Sequence, residues 1–257
     1  MKVYAINCYR DKTYAEVIRQ GSWDNPKELP SICPECTVFT WERVPPLIIE
    51  WEPGSDKIGD FTHAGYGFGG NDLIVTQKVR DDIEGKFTGF EFHPVEMRQN
   101  PKLKNPEKTT KRSKPRVWLP YQGPQLWDLY VTARVKLDLK NSEVLFVKKC
   151  NTCGTMFYRG IFKNAPEMDA LLNDPIAYND KEVKYICNHD KIEYSKTIID
   201  PESWHGESFF RISEWPAQVY VTEEMKKIIE NSGFTNIKFR ESDITIGEPK
   251  KTFAMNG

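Results

Sequence analysis

The sequence predicts an α+β protein made of two similar halves, each with a strand, a helix and a returning strand. Three observations favour this fold class. The strand–helix–strand pattern occurs twice, each half of the chain has its own Cys-x-x-Cys unit, and 39% of the 257 residues are hydrophobic, with 12% aromatic. This composition is sufficient for a packed core, so the chain can form one large or two small globular units.

The repeated pattern covers residues 73–92 and residues 219–239. In each, a short apolar strand leads to a Thr that can cap a helix, Thr76 or Thr222. Each predicted helix ends at a Gly and is followed by Phe-Thr and a further strand. The shared residues at matching offsets favour internal duplication over a chance likeness between two strand–helix–strand units.

The halves are predicted to span residues 1–100 and 118–257, joined by a linker at 101–117 and packed as one compact unit. Residues 102–116, hereafter the basic segment, are rich in Lys, Arg and Pro and almost free of apolar side chains. Such a composition is typical of an exposed loop or linker.

The remaining elements follow from apolar runs and alternation. Residues 2–6 alternate as a first strand. Residues 37–41, directly after the first Cys-x-x-Cys unit, are a β-rich segment, and residues 45–51 form a further apolar strand. Residues 126–130 suit either a helix or a short strand, whereas residues 142–148 predict a strand that runs directly into Cys150.

Two Cys-x-x-Cys units, Cys33–Cys36 and Cys150–Cys153, are the strongest chemical signal in the chain. Two thiolates separated by two residues can chelate one ion from a tight turn, and tetrahedral zinc takes four ligands. The units therefore predict zinc-ribbon-like knuckles and one structural zinc, held by Cys33, Cys36, Cys150 and Cys153. Reduced thiols without metal and a redox pair are the alternatives. Gly154 suits such a turn because it can adopt a positive φ.

The other candidate residues favour structural roles. Cys8 and Cys187 are expected to pack as small apolar residues. Asp60 and Glu207 precede corresponding Phe residues and are interpreted as turn or cap residues rather than as an acid–base pair. The histidines occur singly, at His63, His93, His189 and His205. No nucleophile or metalloprotease pattern accompanies them, so the sequence predicts a protein that is not an enzyme.

Charge and hydropathy limit the classes of partner. The formal net charge is −1, which gives no support to nucleic-acid binding. The chain turns polar after residues 1–7 and contains no apolar run long enough to span a bilayer, so a cytoplasmic location without membrane contact is expected.

Two alternative functions remain at this point. One is a zinc-stabilised nucleic-acid-binding or adaptor module that uses the basic segment. The other is an enzyme with a site in the Gly65–Gly70 loop. That loop lacks the Lys-Ser/Thr of a phosphate-binding loop, which favours a flexible connection.

The order of motifs resembles the double-CxxCG immunity proteins, which are encoded beside secreted polymorphic toxins in bacterial competition systems. The resemblance extends over roughly residues 30–240. It is carried by Cys33–Cys36, Gly59-Asp60-Phe61, residues 87–95, Cys150–Gly154, Trp204, Gly206, Phe209 and residues 219–222. It implies a cytoplasmic protein that binds and neutralises one cognate toxin. The features of this chain that match the family are the two cysteine units and the repeated Asp/Phe and Val-Thr residues. The resemblance implies no catalytic residue.

Overall fold

The computed structural model describes residues 1–8, 14, 16–20, 33, 35, 46–52, 58–64, 72–98, 123–160 and 196–248. Within these residues the protein is a mixed, strand-rich α+β structure with two helices. The elements in chain order are β1 (Lys2–Cys8), β2 (Glu16–Gln20), β3 (Ile48–Glu52), β4 (Phe61–Ala64), β5 (Asp72–Val75), α1 (Gln77–Ile83), β6 (Phe90–Pro94), β7 (Glu96–Arg98), β8 (Trp127–Val131), β9 (Arg134–Val135), β10 (Val144–Lys149), β11 (Met156–Gly160), β12 (Thr197–Ile199), β13 (Phe209–Ile212), β14 (Trp215–Thr222), α2 (Glu223–Asn231) and β15 (Ile237–Ile246).

Both strand–helix–strand patterns fold as the sequence predicts. The hydroxyl of Thr222 caps α2 by accepting a backbone N–H from the first turn. Thr76 precedes α1 but donates its hydroxyl to Asp60 at 3.0 Å and makes no cap bond. Each helix is followed by a Gly with positive φ, +73° at Gly85 and +64° at Gly233, which turns the chain back towards the sheet.

A seven-stranded sheet has the strand order β6-β8-β5-β4-β2-β3-β7. Its two edge strands, β6 and β7, are consecutive segments of the chain, separated by Val95. The N–H of Val95 donates to Leu126, and the next N–H, from Glu96, donates to Leu47. This continuous segment therefore pairs with β8 through its first part and with β3 through its second part, so the sheet curls until its two ends meet.

A six-stranded sheet has the order β12-β15-β1-β14-β13-β9 and closes in a similar way. Beyond β9, Leu137 bridges Ile199 in β12. The N–H of Asp138 donates to Ile198, and that of Asp200 donates to Lys136. These contacts join the two edge strands of the second sheet.

Three apolar cores fill this architecture. The shared core takes side chains from both sheets and both helices, with Phe61 and Phe209 fully buried. A second core lies against the six-stranded sheet and includes Phe210 and Tyr220, and a third lies against the seven-stranded sheet around Ile49 and Ile74. Because strand residues alternate between faces, β13 and β14 each supply two cores.

The two sheets have corresponding strand neighbours. In the seven-stranded sheet, β8 lies antiparallel between β5 and β6; in the six-stranded sheet, β1 lies antiparallel between β14 and β15. The next strand also corresponds. In the seven-stranded sheet, β4 is antiparallel to β5 and parallel to β2. In the six-stranded sheet, β13 is antiparallel to β14 and parallel to β9. The N-terminal strand β1 thus completes the sheet of the C-terminal half, and the pairing crosses the boundary expected at residues 101–117.

The Phe-Thr segment after each helix docks on the opposite sheet. The N–H of Phe61 donates to Thr235 at 3.2 Å, and the N–H of Phe209 donates to Thr88 at 3.2 Å. The carboxylate of Asp60 also accepts the N–H and the hydroxyl of Thr235, both at 2.9 Å. The two halves are therefore joined by a pair of reciprocal contacts.

Glycine is required at two of these contacts. A Cβ on Gly89, which has φ +97°, would lie 2.0 Å from the carbonyl oxygen of Phe209. A Cβ on Gly59 would lie 2.2 Å from the Cβ of Asn236. The Phe209 backbone at Gly89 and the Asn236 side chain at Gly59 therefore leave no space for a side chain at either position.

Candidate metal centre

The second Cys-x-x-Cys unit forms the turn of the hairpin between β10 and β11. The N–H of Cys150 donates to Thr155 at 2.8 Å, and the N–H of Gly154 donates back to Cys150 at 3.0 Å. Gly154 has φ +73°, as expected for this turn, and a Cβ there would meet no atom within 4 Å. Backbone conformation, rather than space, therefore explains glycine at this position.

The turn lies beside Cys33 from the N-terminal half, 117 residues earlier in the chain. The sulfurs of Cys33 and Cys150 are 3.6 Å apart, and those of Cys33, Cys150 and Cys153 all lie within 4.8 Å of one another. Cys33 and Cys150 are buried, whereas Cys153 is exposed. Three thiols from two distant segments thus meet at one point.

The Glu35 carboxylate forms hydrogen bonds beside the cysteine cluster. Glu35 lies inside the first Cys-x-x-Cys unit and accepts both the N–H of Thr152, at 3.2 Å, and its hydroxyl, at 2.5 Å. The Thr152 hydroxyl lowers the pKa of Glu35, and the N–H of Asn151 adds to the effect. The first unit is therefore attached to the second by hydrogen bonds as well as by the cysteines.

The groups around Cys150 shift the pKa of its thiol in opposite directions. The N–H of Cys153 lowers the pKa of Cys150, but desolvation and the neighbouring sulfurs of Cys153 and Cys33 raise it, and the net direction is upward. The Cys153 thiol also contacts the Thr155 hydroxyl at 3.1 Å. A cation bound among the sulfurs would instead lower the pKa of the thiol, because the thiolate is the form that binds metal.

The geometry fits a thiolate metal site. With Zn–S bonds of about 2.3 Å, tetrahedral zinc requires ligand sulfurs roughly 3.8 Å apart. The 3.6 Å between Cys33 and Cys150 is close to this value, and the cluster is compact enough for all three sulfurs to bind one ion. Three cysteines here could therefore bind a metal; Cys36, the fourth expected ligand, lies outside the described residues.

The histidines described by the structure do not join the cysteine cluster. His93 pairs with Glu91 at 3.1 Å and packs edge-on against Tyr130. His63 lies in β4, and His205 is in a turn where its N–H donates to Glu207.

The carboxylates singled out from the sequence sit in turns. Asp60 accepts hydrogen bonds from Thr76 and Thr235, and Glu207 accepts the N–H of His205. These contacts agree with turn or cap roles. Cys8 packs against the shared core, and burial raises the pKa of its thiol to about 12.

Several sequence predictions fall outside the described part of the chain. These are the Gly65–Gly70 loop, the basic segment, Cys187 and His189.

One feature of the hairpin was not expected from the sequence. Leu145, Phe146, Val147 and Met156 are all exposed, although the apolar run at 144–147 is typical of a buried strand. The two lysines that follow it, at 148 and 149, were the available signal that this strand leaves the core.

No known protein family and no curated protein matches the chain. In the part of the chain that the structure describes, neither helix has the length and apolar character needed to cross a lipid bilayer.

Proposed function

We propose that this protein is a non-catalytic immunity protein, which binds one cognate toxin in the cytoplasm and blocks it. The observation that carries the proposal is the meeting of Cys33 with Cys150 and Cys153, because a paired cysteine motif from both halves is the feature most specific to the double-CxxCG resemblance. The function itself is inferred from the resemblance to the double-CxxCG immunity proteins. The geometry of the three cysteines supports that inference from this chain's own residues.

The metal in this proposal is one structural zinc ion. Cys33, Cys36, Cys150 and Cys153 would hold it, and with four protein thiolates no position would remain for water or substrate. Bound there, zinc would supply cross-linking between the halves rather than catalysis. Glu35 and Thr152 would hold the two turns in register through their hydrogen bonds.

The scaffold is proposed to derive from duplication of one unit. Support comes from corresponding positions that make the same contact: Thr76 donates its N–H to Asp60, as Thr222 does to Ser208. Arg80 covers the ring of Trp127, and Lys226, three residues after the start of α2, covers the ring of Tyr4. A duplicated pair with a shared core presents a rigid surface, which favours tight binding because little ordering is required on association.

The test is co-expression with the toxin encoded beside the gene for this chain. The expected result is growth of a sensitive bacterial host with both proteins, growth arrest with the toxin alone, and a complex that copurifies. A Cys150→Ser variant should protect less well because the halves lose their cross-link. Arrest despite full expression of the folded chain, with no complex, would refute the proposal.

A further inference from the structure

The hairpin of β10 and β11 carries a concentration of exposed apolar side chains. Phe146 is 57% exposed, Met156 50%, Val147 47% and Leu145 37%. Residues 145–147 are consecutive in one strand, so they project to both faces of the hairpin. Val144 packs against the second core, and from Leu145 to Lys149 the side chains of β10 are exposed, with no apolar core of the described residues packed against them.

This hairpin is firmly held at both ends. At its base, the indole N–H of Trp215 donates to the carbonyl of Tyr158 at 3.0 Å, and the N–H of Glu143 donates to Lys196 at 2.7 Å. At its tip is the cysteine cluster, attached to the N-terminal half through Cys33. An apolar surface held in this way is pre-organised for binding.

The aromatic side chains on the hairpin are arranged as an anchor. The rings of Phe146 and Tyr158 pack edge-to-face at 5.7 Å, and the Tyr158 hydroxyl contacts the sulfur of Met156 at 3.5 Å. These three side chains form a strip that runs from the second core towards the cysteine turn. Aromatic side chains that become buried when two proteins associate contribute much of the binding energy of an interface.

The charges favour a heterologous partner over a second copy of the chain. Lys148 and Lys149 are exposed beside the strip, and the pairing register of β10 shifts between Phe146 and Lys148. Lysines and a β-bulge on a strand are the features that oppose edge-to-edge pairing with an identical strand. They suit instead an apolar pocket with an acidic rim, through charge complementarity.

We propose that the hairpin strip formed by Phe146, Tyr158 and Met156, together with Val147 and the flanking lysines, is the surface that receives the toxin. This inference rests on the proposed function. The partner surface should be an apolar pocket that takes the Phe146 ring, with carboxylates placed to meet Lys148 and Lys149.

The experiment measures binding of full-length variants to the purified product of the neighbouring toxin gene by surface plasmon resonance. Phe146→Ala should weaken the Kd by about 30-fold or more, as expected for a central anchor. Lys148→Glu with Lys149→Glu should slow association, most strongly at low salt. Leu139→Ser is the matched control, since Leu139 is 39% exposed but lies outside the hairpin; its Kd should not change.

Thermal unfolding and zinc content identify any variant that fails to fold, and Val147→Ser provides a second, milder change in the strip. If wild-type protein binds and protects while Phe146→Ala and Val147→Ser bind equally well, this inference is overturned and the proposed function stands. If wild-type protein neither binds the toxin nor protects the host, both this inference and the proposed function are wrong. Self-association of wild-type protein that Phe146→Ala abolishes would assign the strip to a second copy and would also overturn the inference.

Discussion

Removal of the Asp60 carboxylate should weaken the junction between the halves. The carboxylate accepts three hydrogen bonds: from the N–H of Thr235 at 2.9 Å, from its hydroxyl at 2.9 Å, and from the hydroxyl of Thr76 at 3.0 Å. Because Asp60 is only partly buried, each bond should contribute roughly 0.5–1 kcal/mol net, so Asp60→Ala should cost about 1.5–3 kcal/mol. For a protein of this size that corresponds to a fall in Tm of roughly 5–10 °C.

The assay is urea unfolding followed by circular dichroism, with Asp82→Ala as control. Asp82 is exposed on α1, and its replacement should stay within about 0.5 kcal/mol of wild type. A double-mutant cycle with Thr235→Val isolates the contact, since the two changes should combine with a coupling of about 0.5 kcal/mol or more. Additive losses, or an Asp60→Ala variant as stable as the control, would show that these hydrogen bonds do not stabilise the junction between the halves.

Three further variants or treatments test other parts of the fold. Gly89→Ala should destabilise by more than about 2 kcal/mol, because the new Cβ meets the Phe209 carbonyl at 2.0 Å and φ is +97°; an unchanged urea midpoint would contradict this. Thr222→Val should cost about 1 kcal/mol in the same assay through loss of the α2 cap, and a neutral result would show that the cap adds nothing. In chelator-treated protein at pH 8, iodoacetamide followed by peptide mass mapping should find Cys153 modified well before Cys8. With its pKa raised to about 12, roughly one Cys8 thiol in ten thousand is ionised. Equal rates would argue against the partly buried packing of Cys8 on the shared core.

Local features of the fold could be read directly from residues. Thr222 and the glycines at 85 and 233 marked the ends of helices because capping and positive φ are properties of single positions. The strand from 142 to 148 was recognised by its apolar run and extends over Val144–Lys149. The segment at 126–130, which suited either state, is a strand because it is paired on both sides within a sheet.

Long-range pairing could not be predicted in this way. Nothing in residues 2–8 indicates that they pair with β14 and β15, more than 200 residues later, because alternation specifies a buried face but not a partner. The closure of the seven-stranded sheet depends on Val95, which looks like an ordinary strand residue.

At the candidate metal site, too, local features could be predicted from the sequence but long-range contacts could not. Spacing within each Cys-x-x-Cys unit predicted chelation, and Gly154 has the positive φ expected for such a turn. The sequence separation of 117 residues gave no measure of distance, whereas the structure brings Cys33 within 3.6 Å of Cys150. The exposure of Phe146 was also hidden, because an apolar run looks the same in a core and on a binding surface.

Whether the two halves share one zinc ion can be decided by measuring the zinc content per chain of the purified full-length protein. We expect about one zinc per chain in the wild type. Cys36→Ser and Cys150→Ser, which each remove one ligand from a different half, should both lose that zinc. Fully folded wild-type protein without zinc would contradict a shared zinc ion, as would zinc retained at full occupancy when either cysteine is replaced.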